Sequence, residues 1–194
     1  PMVLSSVPSR SKITSFFIHQ SFVAKVVNSI FAHPIIYLVM ALVSCFIATE
    51  DLDSRQCLEA EPLVDKVLHI PAFSSTESIC RVAAETTGAF TLIYTKPYRF
   101  ECIDFAHGRM VQIAEDTGAV MLYSDHFKKI GADVVESPVI DCQPGSLRDD
   151  FGFGSVLLIR TDALKAAAAR MDVPYKYAGL YDLRLKLSTM GTLE

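Results

Sequence analysis

The chain is poor in charge, and the small excess it carries is acidic. Charged residues make up 21% of its 194 residues and sum to a net charge of −4. It therefore lacks the basic patch from which nucleic-acid recognition starts, and no nucleic-acid partner is expected. It also lacks the low hydrophobicity of disordered chains, with 51% hydrophobic residues and a mean hydropathy of +0.31. That composition supplies either a large core or a membrane contact. The five cysteines (Cys45, Cys57, Cys80, Cys102 and Cys142) contain no C-x-x-C. Their scatter suits a reducing compartment better than a disulfide framework, and it holds no zinc signature. The histidines are equally dispersed, without H-E-x-x-H. There is no G-x-G-x-x-G for a dinucleotide and no G-x-x-x-x-G-K-[ST] for a P-loop. Gly152 to Ser155 does not make a G-x-S-x-G elbow, because Val156 and Leu157 follow where a glycine is needed.

What is present is a series of apolar runs. The longest, Ile35 to Ala48, is preceded by His33-Pro34 and closed by Glu50, Asp51 and Asp53. A spanning helix needs about 20 apolar residues, so this run reads as a buried strand, with a membrane helix as the alternative. It lies too far in to pass as a signal peptide. The expected location is cytoplasmic, with the inner face of the membrane as a variant of it. Residues Pro1 to Lys12 read as a loose segment, and residues 13–194 as one α/β domain, truncated after its last helix. Within it, Ile13 to Ile18 reads as a strand and Gln20 to Phe31 as an amphipathic helix. Ile36 to Ile47 follows as a strand buried on both faces. Thr49 to Pro62 reads as an acidic connection and Lys66 to Ile70 as a strand.

Ser74 to Glu77 fits a capping box, opening a helix with Ile79, Val82 and Ala83 on one face. Phe90 to Tyr94 is the central strand, and Cys102 to Thr117 repeats the helical pattern. Ala119 to Ser124 is the next strand, and Gly131 marks a turn from which Val134 to Ile140 returns antiparallel. Gly154 to Arg160 is a late buried strand. Thr161 or Asp162 caps an Ala-rich helix reaching Met171, and Leu180 to Leu187 is the last helix. Strands alternating with helices imply a sheet with helices on both faces.

Open α/β sheets bind ligands beyond the carboxyl ends of their strands, which directs attention to the polar residues there. Asp51 and Asp53 follow the second strand, Lys96 the central one and Asp125 the next. Arg148, Asp149 and Asp150 precede the late strand, and Asp182 opens the last helix. Plainer readings stand beside these. Lys96 is also a surface lysine, Asp125 a turn cap, Arg148 an ion-pair partner of its acidic neighbours, and Asp182 a first-turn acid. Tyr177 and Tyr181 suit either packing or stacking on a sugar.

Three segments, RMVQIAEDTGAVMLYSDHF (Arg109 to Phe127), PVIDCQPGSLRDDFGFGSVLL (Pro138 to Leu158) and YAGLYDLRLKLS (Tyr177 to Ser188), resemble family 2 glycosyltransferases of a Bacteroidetes-type branch. The likeness runs from about Ile36 to Ser188. It implies a GT-A, Rossmann-like fold with a mixed, mostly parallel sheet. It also implies transfer of a sugar from a nucleotide-diphosphate donor to an acceptor hydroxyl on a glycan or lipid-linked acceptor. By that resemblance Asp51 and Asp53 hold base and ribose, and Asp182 stands near the catalytic base. Lys96, Asp125, Arg148, Asp149 and Asp150 complete the donor site. The family uses Mn²⁺ or Mg²⁺ on an Asp-x-Asp at the end of the central strand, where this chain has Thr95-Lys96. Two expectations follow: Lys96 replaces the metal at the diphosphate, or the domain is a catalytically degenerate module that binds a sugar or a protein.

Overall fold

The long apolar run becomes a strand at β1 (Val43–Ile47), in which every residue is buried. A computed structural model describes residues 42–103, 105–131, 133–143 and 152–194, all within one compact unit, Ala41–Glu194. The expectations for residues 1–12, 13–18, 20–31 and 35–41, and for Arg148, Asp149 and Asp150, lie outside these residues.

The acidic stretch after β1 is a helix, α1 (Leu52–Glu59), where the sequence suggests only a connection. Leu58 is the one large apolar side chain it buries, so the 3.6-residue periodicity that betrays a helix is faint. Its start is set by Asp51, whose carboxylate accepts from Ser54 N–H at 2.8 Å. β2 (Val64–His69) follows, then α2 (Thr76–Glu85). The cap of α2 is Ser75, not Ser74: its Oγ accepts from Ser78 N–H at 3.1 Å. β3 (Phe90–Tyr94) is buried throughout and keeps its expected bounds.

α3 (Ala106–Thr117) starts later than Cys102, because Phe105 turns into the left-handed region at φ 66° and breaks the helix there. After β4 (Met121–Tyr123), the strands β5 (His126–Ile130) and β6 (Asp133–Ser137) form a separate antiparallel hairpin through Gly131. β7 (Val156–Arg160) passes directly into α4 (Thr161–Ala168), so Arg160 occupies the cap position expected of Thr161 or Asp162. α5 (Gly179–Ser188) comes last.

The main sheet has five strands in the order β2-β1-β3-β7-β4. β1 pairs parallel with β2 and β3, while β7 runs antiparallel to both β3 and β4. The result is a mixed α/β architecture, a five-stranded mixed sheet flanked by helices. On one face Phe46, Ile93, Leu157, Ile159 and Met121 form a single core with Ile79 and Val82 of α2, Leu164 of α4, and Leu183 and Leu187 of α5. Strand alternation turns Cys45, Leu92, Leu158 and Leu122 to the opposite face, where α3 packs along β4 and β7. Among the described residues, no helix is long and apolar enough to cross a membrane.

β1, β2, β3 and β4 end along one edge of the sheet, and the reversed β7 begins there. That edge carries Thr49 to Asp51, Thr95 and Lys96, Ser124 to His126, and Gly154 with Ser155. Gly154 sits at φ +73°, and a Cβ there would meet Ser124 O at 2.7 Å. Only glycine lets the chain entering β7 pass this close to the end of β4.

Candidate functional site

At the β1 end of the edge, the first turn of α1 and the loop after β3 are joined. Asp51 Oδ2 accepts from Ser54 N–H at 2.8 Å and lies 2.7 Å from Ser54 Oγ. These two bonds, side chain first, hold its carboxyl below the ordinary carboxylate value, with the Arg99 charge adding a smaller push. Ser54 Oγ also stands 3.0 Å from Phe100 O and accepts from Phe100 N–H at 3.0 Å. Its one hydrogen serves either Asp51 or the Phe100 carbonyl. Asp53 is engaged by Arg99 at 3.0 Å, with both side chains exposed.

One turn further along α1, Cys57 is bonded to Cys102, with Cα atoms 6.1 Å apart. The scatter of the cysteines suggests a reducing compartment and not a disulfide framework; this bond corrects that expectation, because two positions 45 residues apart meet where the loop folds back on the helix. Cys45 is buried, Cys80 exposed and Cys142 half-buried, all three as free thiols. Beneath the loop, the Tyr94 and Phe100 rings stack at 3.9 Å and 13°. Tyr94 Oη lies 2.7 Å from His107 Nε2, and His107 Nδ1 lies 3.2 Å from Glu61 Oε1.

The middle of the edge is built by β3, β4 and the start of β7. Thr95 N–H and Oγ1 both donate to Ser155 O, at 2.9 and 3.2 Å. Lys96, next in the chain, is exposed, and it makes no ion pair among the described residues. Its charge nonetheless reaches His126. Burial first, then Lys128 and Lys96, push that imidazole below its ordinary value, and Asp125 opposes them. His126 Nε2 lies 3.4 Å from Ser155 Oγ, while its Nδ1 is buried without a hydrogen-bond partner among the described residues. Asp125 Oδ1 accepts from Val139 N–H at 2.6 Å, which makes this carboxylate a turn cap as well as an edge residue.

Asp182 belongs to the helical layer. It stands in the first turn of α5, with Lys186 Nζ 2.6 Å from Oδ1 and Oδ2 buried without a partner among the described residues. The start of α5 is seated on the start of α2, because a Cβ on Gly179 would fall 2.3 Å from the Ser75 carbonyl carbon. Arg184 stacks over Phe153 at 4.7 Å, and burial pushes its guanidinium down to about 10. Tyr177 is 89% exposed.

No protein-family model, no curated protein and no solved structure matches this chain. Its function therefore rests on the residues above.

The edge thus gathers two groups of sequence-predicted residues: Asp51 and Asp53 on α1, and Lys96 with Asp125 around His126. Arg148, Asp149 and Asp150 lie outside the described residues. A divalent cation does not fit the end of β3, which offers a threonine hydroxyl and an ammonium where hard oxygen ligands are required. Among the described residues, no group of three His, Cys, Asp or Glu side chains could hold a metal elsewhere. Sequence reasoning missed Ser54, Arg99, His126 and Ser155. His126 carried a signal, following Asp125 directly at a strand end, and Ser155 follows the Gly152-Phe153-Gly154 turn into β7. Ser54 and Arg99 carried none, since their roles come from contacts across the fold.

Proposed function

We propose that the chain is a small GT-A-like transferase that moves a sugar from a nucleotide-diphosphate donor to an acceptor hydroxyl of a glycan or lipid-linked acceptor. One observation carries the reading: an exposed Lys96, without an ion pair among the described residues, at the carboxyl end of the central strand, within electrostatic reach of His126. The sheet order supports it, since one reversed strand between parallel neighbours puts the start of β7 among the strand ends. In this reading the Lys96 ammonium meets the diphosphate as a compact point charge and stabilises the negative charge that grows on it as the sugar leaves. The first turn of α1, with Asp51 and Asp53, faces base and ribose. Asp125 lines the donor side.

The acceptor oxygen attacks the anomeric carbon, the bond from that carbon to the diphosphate oxygen breaks, and the hydroxyl proton passes to a general base. The resemblance gives that role to Asp182, whose carboxylate, paired with Lys186 through Oδ1 and buried at Oδ2, has to turn outward to take the proton. No step is assigned to a metal, because the donor set at Thr95-Lys96 does not suit one.

Titration of UDP-glucose and other UDP-sugars, with and without Mn²⁺, tests the proposal. Metal-independent binding is expected. Lys96→Ala should weaken it by roughly 10- to 100-fold, as loss of a charge-assisted hydrogen bond does. Absence of binding under both conditions removes the donor reading, and binding that requires Mn²⁺ removes the role of Lys96. A second reading, a degenerate module that binds without transfer, is favoured by the geometry of Asp182, whose Oδ1 is paired with Lys186 at 2.6 Å and whose Oδ2 is buried, so that neither oxygen faces an acceptor. Donor binding with neither transfer nor hydrolysis would select it.

A further inference from the structure

We infer that the Cys57–Cys102 disulfide is a redox-reversible latch that holds the loop after β3 against α1. The loop between Tyr94 and Cys102 carries Lys96, Arg99 and Phe100; Thr95 bonds to Ser155, Phe100 stacks on Tyr94 and Glu101 lies 4.0 Å from Lys129, while its far half is tied to one face of α1. Asp53 and Ser54 stand three to four positions before Cys57 on α1, so their side chains and the sulfur line the same side. The tethers there are the exposed Arg99–Asp53 pair, the Phe100 backbone on Ser54 Oγ, the Cys102 N–H 3.2 Å from Cys57 Sγ, and the covalent bond. An exposed ion pair holds weakly, which leaves the neutral hydrogen bonds, the Tyr94–Phe100 stack and the disulfide to fix the loop, and the disulfide is the one covalent tie among them.

The placement also separates a latch from a structural staple. The bond joins a loop to α1, whereas the sheet and the helical core of α2, α4 and α5 are assembled by backbone pairing and apolar packing that do not involve it. Both cysteines are only partly buried, so a small thiol can reach them. A thiolate of a small dithiol attacks one sulfur, the S–S bond breaks, and the other cysteine leaves as a thiolate. The second sulfur of the reagent then displaces the first cysteine and closes a cyclic disulfide. Two electrons and two protons pass to the protein, giving two thiols, and a small disulfide such as oxidised glutathione reverses the exchange.

The consequence for binding rests on the donor reading, because the freed loop is the one that positions Lys96. The test uses the full chain after oxidation with glutathione disulfide and after reduction with dithiothreitol. Peptide mapping should find Cys57 joined to Cys102 only in the oxidised sample. Hydrogen exchange at the Phe100 and Cys102 amides should quicken at least tenfold on reduction, while β1 and β3 keep their protection. UDP-glucose affinity should fall by roughly 5- to 150-fold, the range of ordinary coupling between sites. Cys57→Ser should match the reduced protein under both conditions, and if that variant does not fold, dithiothreitol on the native chain decides. Failure to recover the linked peptide, or equal exchange in the two states, overturns the latch. Faster exchange with unchanged UDP-glucose affinity confines it to the loop and overturns its link to the site. Absence of UDP-glucose binding in both states overturns the donor reading alone, because the exchange result still decides whether the loop is released.

Discussion

Burial, Lys128 and Lys96 together keep the His126 imidazole neutral below its ordinary value of 6.5, with Asp125 working the other way. As pH falls through 6.5 the unfolded chain takes up this proton before the folded one does. The contribution of His126 to stability is therefore complete above that value and is lost as pH drops toward the lower folded value. His126→Gln should flatten the dependence of the urea midpoint on pH in that window, and identical slopes would contradict the assignment. A sharper consequence concerns Lys96. Removing its charge takes away one of the two cations that depress His126, so Lys96→Met should raise the imidazole pKa followed by NMR, by less than Lys128→Met does. An unmoved pKa would mean that the ammonium points away from the edge, and the diphosphate role would go with it. At this scale the sequence revealed Lys96 and Asp125, because strand ends are recognisable from the apolar runs they close. The partners of such residues were hidden, since Ser54 meets Phe100 across 46 positions and His126 meets Ser155 across 29.

Elements were legible in proportion to how much apolar surface each one buries. α2 places Ile79, Val82 and Ala83 on one face and was recognisable, although its cap lies one serine later than the expected box. α1 buries Ser54 and Leu58 alone, so it announces itself only through Asp51 and reads as a connection. α5 depends on a feature that the pattern of side chains cannot convey. Gly179 N–H donates to Ser74 O, and its Cα lies so close to the start of α2 that a Cβ would fall 2.5 Å from both Ser75 O and Thr76 N. Gly179→Ala should therefore push α5 off α2 and cost about 1–3 kcal/mol or more in urea denaturation, the range for overpacking against parts that cannot yield. Gly118→Ala serves as the contrast, because a Cβ there meets nothing within 4 Å and the cost comes only from its φ of +69°. A Gly179→Ala protein as stable as the parent would show that the two helices separate freely.

The whole sheet was legible as a set of strands, while its order and the direction of β7 were not. A strand buried on both faces is apolar at every position, and Val156 to Ile159 looks the same whether it runs with its neighbours or against them. Direction is decided by the connections: β7 passes straight into α4, and its register sets Leu158 opposite both Leu92 and Leu122. β7 is thus the strand on which the two halves of the sheet depend, with Leu157 fully buried in the core under α4 and α5 and Leu158, 1% exposed, on the other face. Replacing either with alanine should cost about 2–5 kcal/mol, the usual penalty for a cavity in a close-packed core. Because β7 bonds to β3 and β4 alike, the amides of both strands should lose exchange protection together in each variant. If Leu158→Ala opened β4 while β3 stayed protected, the α3 side would be a separately unfolding layer. The carboxyl edge would then be assembled from two units, not held by one sheet.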